Sequence, residues 1–152
     1  MINVRVYGIL MNDNKDVLVA DELIKGKFYT KFPGGGLEFG EGTRDCLKRE
    51  FQEEMNLEVT IGEHLYTTDY YQPSAFNPAH QFLAIYYKVH PVEPVILPVR
   101  TLPFFNDVAE LEDVFTRTGA IEAFRYIPFE QFSEESVSLP TDKILAKLLK
   151  AQ

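Results

Sequence analysis

Pro33-Gly34-Gly35-Gly36-Leu37-Glu38-Phe39-Gly40-Glu41-Gly42 runs straight into Thr43-Arg44-Asp45-Cys46-Leu47-Lys48-Arg49-Glu50-Phe51-Gln52-Glu53-Glu54-Met55, and the character of the chain changes between the two halves. The first half is glycine-rich. The second is built of strong helix formers, with Leu47, Phe51 and Met55 spaced four apart as an apolar stripe. A helix over Thr43 to Met55 puts Glu50 and Glu54 one turn apart on one side, with Glu53 beside them. The three carboxylates span an arc of about 100° next to the apolar stripe, not opposite it. Arg49 lies one turn before Glu53, in reach of an ion pair. Each like-charged pair at this spacing costs roughly 0.2–0.5 kcal/mol in an isolated helix, a cost that disappears if a cation is held there. A lone Glu-x-x-Glu is by default a solvated acidic face. Here the carboxylates border the buried stripe, and the preceding glycines let the backbone approach a phosphate or turn a carbonyl toward a metal. Oxygen-only ligands that leave room for water and phosphate suit magnesium, with manganese as the alternative.

Working outward, Ile2, Val4 and Val6 alternate with Asn3, Arg5 and Tyr7 as a strand with one buried face. Asn12 to Asp16 reads as a turn and Val17 to Ala20 as the returning strand. Phe28 to Phe32 is a third short strand, broken by Pro33 and the glycine run. After the helix, Leu57 to Ile61 returns to alternation and strand-like sequence continues from Leu65 to Tyr71. Gln81 to Val89 is apolar on both faces, as in a strand covered on both sides. The prolines at 91, 94, 98 and 103 punctuate an extended loop, with a short helix expected over Asp107 to Phe115. Ala120 to Ile127 is the last strand. Ile144, Leu145, Leu148 and Leu149 form the apolar face of a closing helix, with Pro140 in its first turn. The sum is an α/β chain with a mixed β-sheet flanked by helices, expected to form one domain over residues 1–152.

The central segment resembles the Nudix box: glycine, five residues, glutamate, seven residues, then Arg-Glu-apolar-x-Glu-Glu-x-Gly-apolar. This chain supplies Gly35, Glu41, Arg49, Glu50, Phe51, Glu53, Glu54, Asn56 and Leu57 in register. Asn56 stands where the family has glycine, at a helix end where a left-handed backbone is commonly needed; asparagine tolerates that conformation next best. Outside the box, Lys31-Phe32-Pro33-Gly34-Gly35 resembles the usual lead-in, and Phe124 to Phe129 is similar to a late strand of the family. The resemblance implies an α/β/α sandwich of Nudix type. It also implies a pyrophosphohydrolase in which water attacks a phosphorus of a nucleoside diphosphate linked to another group. By the same carry-over Glu50 and Glu54 are the leading metal ligands and Glu53 joins them, with the Gly34 carbonyl as an addition. Glu50, Glu53 and Glu54 are thus the catalytic set. Arg49 and Glu41 would orient the loop and helix. The base is Glu50 or Glu53, or a later glutamate among Glu110, Glu112 and Glu122, each of which is by default a surface carboxylate.

Several residues invite a role and are set against blander ones. Cys46 has no nearby histidine and acidic neighbours that raise its pKa, so it reads as a small packed residue. His64, His80 and His90 lack ligand-like spacing. Tyr70, Tyr71 and Phe76 are candidates to stack on a base or ribose, although such aromatics are more often core or loop packing, and Lys31 and Arg5 to meet phosphate, although a lone basic residue on a strand is usually solvated. Pro73, sixteen residues past Leu57, resembles the pattern of Nudix enzymes that split ADP-ribose, which tilts the substrate toward ADP-ribose or another nucleotide sugar.

Composition bounds the rest. With 45% apolar and 25% charged residues the balance is that of a globular protein, and no apolar run is long enough to span a bilayer. The N-terminus lacks the pattern of a secretory signal and a single cysteine cannot form an internal disulfide, so the cytoplasm is the expected compartment. The formal net charge is −8 and Lys and Arg are scattered, which disfavours a nucleic acid polymer and leaves a small nucleotide-like substrate bridged by a divalent cation. A second copy of the chain, as a homodimer, is the one protein partner considered. A non-catalytic Nudix-like nucleotide-binding or regulatory module is the alternative from another class. Such a module would be expected to have lost box carboxylates, and Glu50, Glu53 and Glu54 are all kept. A magnesium-dependent isomerase on the same fold is compatible with the box.

Overall fold

The computed structural model describes residues 1–24, 26–95, 112 and 122–152. Its elements are β1 (Ile2–Leu10), β2 (Val17–Ile24), β3 (Lys27–Lys31), β4 (Gly34–Gly36), α1 (Thr43–Met55), β5 (Val59–Thr67), β6 (Gln81–Pro91), β7 (Glu122–Ile127), a 3-10 turn (Glu134–Ser136) and α2 (Pro140–Lys150). They fall into two compact units, one holding β1, β4, α1, β5 and β6, the other β2, β3, β7, the 3-10 turn and α2. The helix expected over Asp107 to Phe115 and most of the proline-rich segment lie outside the described residues. Among the described residues no helix is long and apolar enough to cross a membrane.

In the first unit the sheet runs β4-β1-β6-β5, with β1 parallel to β6 and antiparallel to β4, and β5 antiparallel to β6. This is the mixed sheet that the sequence led one to expect, in an α/β chain. Strand β1 departs from the expected single buried face: Val6 to Leu10 are all buried. It is an internal strand, and both its faces are packed. On one face Gly8 lies under α1, where a Cβ would come within 2.9 Å of two ring atoms of Phe51 and 2.6 Å of Val89. On the other face Tyr7 stacks on Tyr86 with ring centroids 5.3 Å apart. Strand β6 departs in the opposite sense, because Leu83 and Ile85 are only partly buried between buried Phe82, Ala84 and Tyr86.

The glycine run does not end the strand structure as expected; it forms β4. Pro33 cannot donate, but its carbonyl accepts from the Gly8 amide at 2.8 Å, and Leu37 donates to Val4 at 2.9 Å. Gly34 has φ +152 and lies so close to β1 that a Cβ would overlap the Val6 carbonyl, which reserves the position for glycine. β5 stops at Thr67 instead of running to Tyr71. Thr68 turns its hydroxyl onto β6, donating to the Ala84 carbonyl at 3.2 Å and accepting from the Ala84 amide at 3.0 Å. Helix α1 has the expected bounds and buries Cys46, Leu47, Phe51 and Met55, each large apolar side chain contributing roughly 1.5–3 kcal/mol. It ends on Asn56 at φ 50, ψ 41, the left-handed conformation anticipated for that position.

In the second unit β2 lies between β3 and β7, antiparallel to both. Buried Asp21 ties the three strands together, accepting from Arg125 at 2.6 and 3.2 Å and from the Thr30 hydroxyl at 2.6 Å. Helix α2 begins at Pro140 and buries Leu145, Ala146 and Leu149, but Leu148 is exposed, so the expected stripe is displaced. Buried Asp142 takes part of that face, because its carboxylate accepts the Phe32 amide at 3.3 Å.

Candidate active site

Strand β4 and helix α1 converge on Glu50. Its carboxylate lies against Gly35 so closely that a Cβ there would overlap all three terminal atoms. Only 13% of the Glu50 side chain is exposed, against 60% for Glu53. Glu54 is exposed on the next turn. The helix period puts Glu53 farthest from the stripe but Glu54 nearer to it than Glu50, so what covers Glu50 is the glycine strand against its carboxylate and not its angle on the helix.

Arg49 holds this region together. Its guanidinium grips Glu41 in a two-point pair at 2.7 and 3.0 Å, donates to the Gly36 carbonyl at 3.1 Å, and reaches Glu50 at 2.9 Å, Glu53 at 3.2 Å and Glu38 at 3.7 Å. One side chain thus binds the loop, the glycine strand and the helix, the orienting part expected for Arg49 and Glu41. The ion pair with Glu53 was legible from helix spacing. The contribution of Glu38 was not, although its position three residues before Glu41 lets its amide donate to the Glu41 carboxylate at 2.9 Å. The Arg49 bond, and then the Glu38 amide, pull the Glu41 pKa from 4.5 down to about 2. Bonding to Glu41 likewise raises the Arg49 pKa above its ordinary value. Burial and the Glu41 carboxylate push the Cys46 thiol up to about 12; buried and donating to the Gly36 carbonyl, it is the packed residue expected, not a nucleophile.

The charges do not balance. Glu38, Glu41, Glu50 and Glu53 surround one guanidinium, four negative charges against one positive, or −3 for these five groups. Among the described residues no three His, Cys, Asp or Glu side chains are drawn together closely enough to hold a metal ion. The donors nonetheless suit a hard divalent cation: they are all oxygens, they carry excess negative charge, and the strand beside Glu50 has no side chain. Backbone oxygens are available as well. Antiparallel pairing alternates, so with Pro33 and Leu37 bonded to β1, the carbonyls of Gly34 and Gly36 face away from that strand. The Gly36 carbonyl is the one that meets Arg49.

The other candidates are scattered. Tyr70 and Phe76 lie in the stretch between β5 and β6, both at the surface. Burial and the Asp69 charge raise the Tyr70 pKa, so its hydroxyl remains a donor at neutral pH. Pro73 forms an isolated antiparallel bridge to Gln81 in the same stretch. Lys31 belongs to the second unit and is not solvated: it is 8% exposed and pairs with Glu22 at 2.7 Å. Glu122 lies in β7 opposite Glu22, Glu112 is exposed, and Glu110 lies outside the described residues.

A family model described as NUDIX domain matches residues 1–148. No curated protein sequence matches the chain. Among solved structures it is similar to a NUDIX hydrolase from Nitrosomonas europaea, with a TM-score of 0.70 at 19% identity over 99% of this chain and 90% of that one. It is similar to a MutT protein from Methanosarcina mazei Go1, with a TM-score of 0.66 at 13% identity over 99% and 94% of the two chains. The ORF135 protein of E. coli gives 0.65 at 17% identity, over 99% and 89%. At these identities the likeness speaks to the fold.

Proposed function

Because this chain belongs to the NUDIX domain family, and is by that membership a Nudix pyrophosphohydrolase, we propose that it hydrolyses a phosphoanhydride bond of a small compound with two linked phosphates, such as ADP-ribose or another nucleotide sugar. The observation that carries the reading is the surplus of carboxylates around Arg49, set against a strand with no side chains. Glu50 and Glu54, with Glu53 and the Gly34 carbonyl, are the groups that would hold magnesium or manganese. When bound, that ion supplies neutralisation of phosphate charge and a water of lowered pKa. The chain's own part begins with position. Arg49 keeps Glu50 against Gly35, and Glu41 keeps Arg49 in place. A carboxylate oxygen of Glu53 or Glu50 takes the proton as water oxygen bonds to phosphorus and the anhydride oxygen leaves. Glu53 suits that task because its exposed side chain can move, whereas Glu50 is confined.

Substrate class is read from the Thr67–Pro78 stretch, where exposed Tyr70, Tyr71 and Phe76 offer rings to stack on a base or sugar. A net charge of −8 favours two phosphates over three, and a small nucleotide over a nucleic acid polymer. The test compares specificity constants for ADP-ribose, other nucleotide sugars and the common nucleoside triphosphates, with and without magnesium. ADP-ribose or a nucleotide sugar should lead. A triphosphate ahead by about tenfold would reverse the substrate assignment, and no hydrolysis of any of them with magnesium would favour a nucleotide-binding module instead.

A further inference from the structure

Strand β4 has no side chains, so it cannot fix its own position by packing. Glycine also loses more backbone freedom on folding than any other residue, and β4 pairs with β1 only over Arg5 to Tyr7. Its placement nonetheless matters, because the Glu50 carboxylate occupies the space that a Cβ on Gly35 would take. The strand must therefore be held from its two ends. At the far end Arg49 donates to the Gly36 carbonyl and the Leu37 amide to the Val4 carbonyl. The near end is Pro33, which has no amide to donate and whose carbonyl accepts from Gly8.

The three residues that deliver the chain to Pro33 are each held within the second unit. Thr30 donates its hydroxyl to Asp21 at 2.6 Å and its amide to the Ser138 hydroxyl at 2.9 Å, and its carbonyl accepts the Ser138 amide at 2.8 Å. Lys31 is buried beside Glu22. Phe32 packs its ring on Phe132, with centroids 5.9 Å apart, and donates its amide to Asp142. Asp142 is wholly buried in the first turn of α2, where a carboxylate is costly unless it is hydrogen-bonded. No step of the proposed hydrolysis uses it. Its bond falls on the last amide before the glycine strand, since Pro33 has none.

We propose that Asp142 is a positioning residue for the hydrolysis: by holding the Phe32 amide it sets where Pro33 starts β4, and so where Gly35 stands against Glu50. The inference rests on the phosphoanhydride reading above and adds to it the group that fixes the glycine strand at its start. The effect runs along the chain through the Phe32–Pro33 peptide bond. Proline transmits it well, because its own φ is locked and it restricts the residue before it.

The test compares the whole wild-type chain with three variants. Asp142→Ala removes the acceptor, Asp142→Asn keeps an oxygen in place without the charge, and Asp142→Glu keeps the carboxylate but moves it by one methylene. The first readout is amide hydrogen exchange by NMR, with neither metal nor substrate present. The Gly8 amide, bonded to the Pro33 carbonyl, should exchange about tenfold faster in Asp142→Ala. The Ala84 amide, bonded to the Thr68 hydroxyl in the same sheet, should stay within about threefold. A general loosening of the fold would move both alike. The second readout is calorimetric binding of manganese, which should weaken about tenfold in Asp142→Ala. The third is ADP-ribose turnover in magnesium, well below the melting temperature. There kcat should fall about ten- to a hundredfold with KM within about threefold, the scale expected for a small misplacement of reacting groups. Asp142→Asn should recover most of each loss and Asp142→Glu should not. Should Asp142→Ala fail to fold, Asp142→Glu is read in the same three ways. Equal acceleration at Gly8 and Ala84, an unmoved Gly8 amide, or an unchanged kcat would overturn the assignment. If the wild type hydrolyses no two-phosphate compound, the functional reading fails, and exchange at Gly8 against Ala84 still judges Asp142 by itself.

Discussion

Glu50 and Glu54 share a helix and a spacing but not an environment. Glu50 is packed against Gly35 and bonded to Arg49, whereas Glu54 stands at the surface. Glu50→Gln and Glu54→Gln should each lower turnover by at least ~10²-fold, because each removes a charged oxygen from the proposed cation site. The Glu54 variant should melt close to the wild type. Full activity of Glu54→Gln at limiting magnesium would remove that residue from the site. Glu41 makes a different prediction. Its folded pKa is depressed from 4.5 to about 2, so the unfolded chain takes up its proton first as pH falls. The stability that Glu41 contributes should be fully present above about pH 4.5 and be lost as pH falls toward 2. Melting curves of the wild type and Glu41→Gln should therefore converge across that window. A gap of constant size from pH 6 to pH 2.5 would mean that ionisation of Glu41 is not what holds Arg49.

At the scale of elements, the end of α1 decides where β5 begins. Asn56 adopts φ 50 and its amide donates to the Gln52 carbonyl at 3.0 Å, while Leu57 donates to the Phe51 carbonyl at 3.3 Å. Orphan helix carbonyls are satisfied and the chain turns back to bury Leu57 and Val59. Asn56→Ala should destabilise the protein by roughly 1 kcal/mol, because alanine keeps the Cβ but lacks the short polar side chain whose local hydrogen bonds let asparagine tolerate the left-handed region. Asn56→Gly should be tolerated, losing only the hydrogen bond from the Gln52 side chain. Denaturant unfolding of the two variants measures the difference directly; equal stabilities would show that the backbone conformation is not limiting.

For the whole molecule, the relevant quantity is the uncompensated charge around Arg49. A cation bound by the native cluster and not by the unfolded chain stabilises the fold by mass action, about 2.7 kcal/mol at a hundredfold excess over its dissociation constant. Magnesium together with a non-hydrolysable two-phosphate nucleotide should raise the melting temperature, and Glu50→Gln should blunt the rise. No shift with both ligands present would argue for a solvated acidic face. Calcium should substitute in the melting experiment without supporting turnover.

Local sequence was sufficient for α1 and its cap. Helix propensity, the four-residue spacing of Leu47, Phe51 and Met55, and the tolerance of Asn56 for a left-handed backbone are properties of neighbouring residues. The ion pair of Arg49 with Glu53 was legible for the same reason. What spacing alone could not reveal depended on distant partners. The glycine run became a strand because β1 offers it a ladder, and β1 is buried on both faces because Phe51 and Tyr86 reach it from elsewhere in the chain. Leu148 looks like core by periodicity, yet it is exposed, since α2 is rotated to bring Asp142 to the Phe32 amide 110 residues away. Lys31 looked like a solvated strand cation and is instead buried beside Glu22 on the neighbouring strand. Arg5, an ordinary strand cation by sequence, lies beside Gly36 only through cross-strand register. Hydrophobic period and backbone preference act over a few residues; register and burial are set by whichever segments pack together, and only the folded chain decides that.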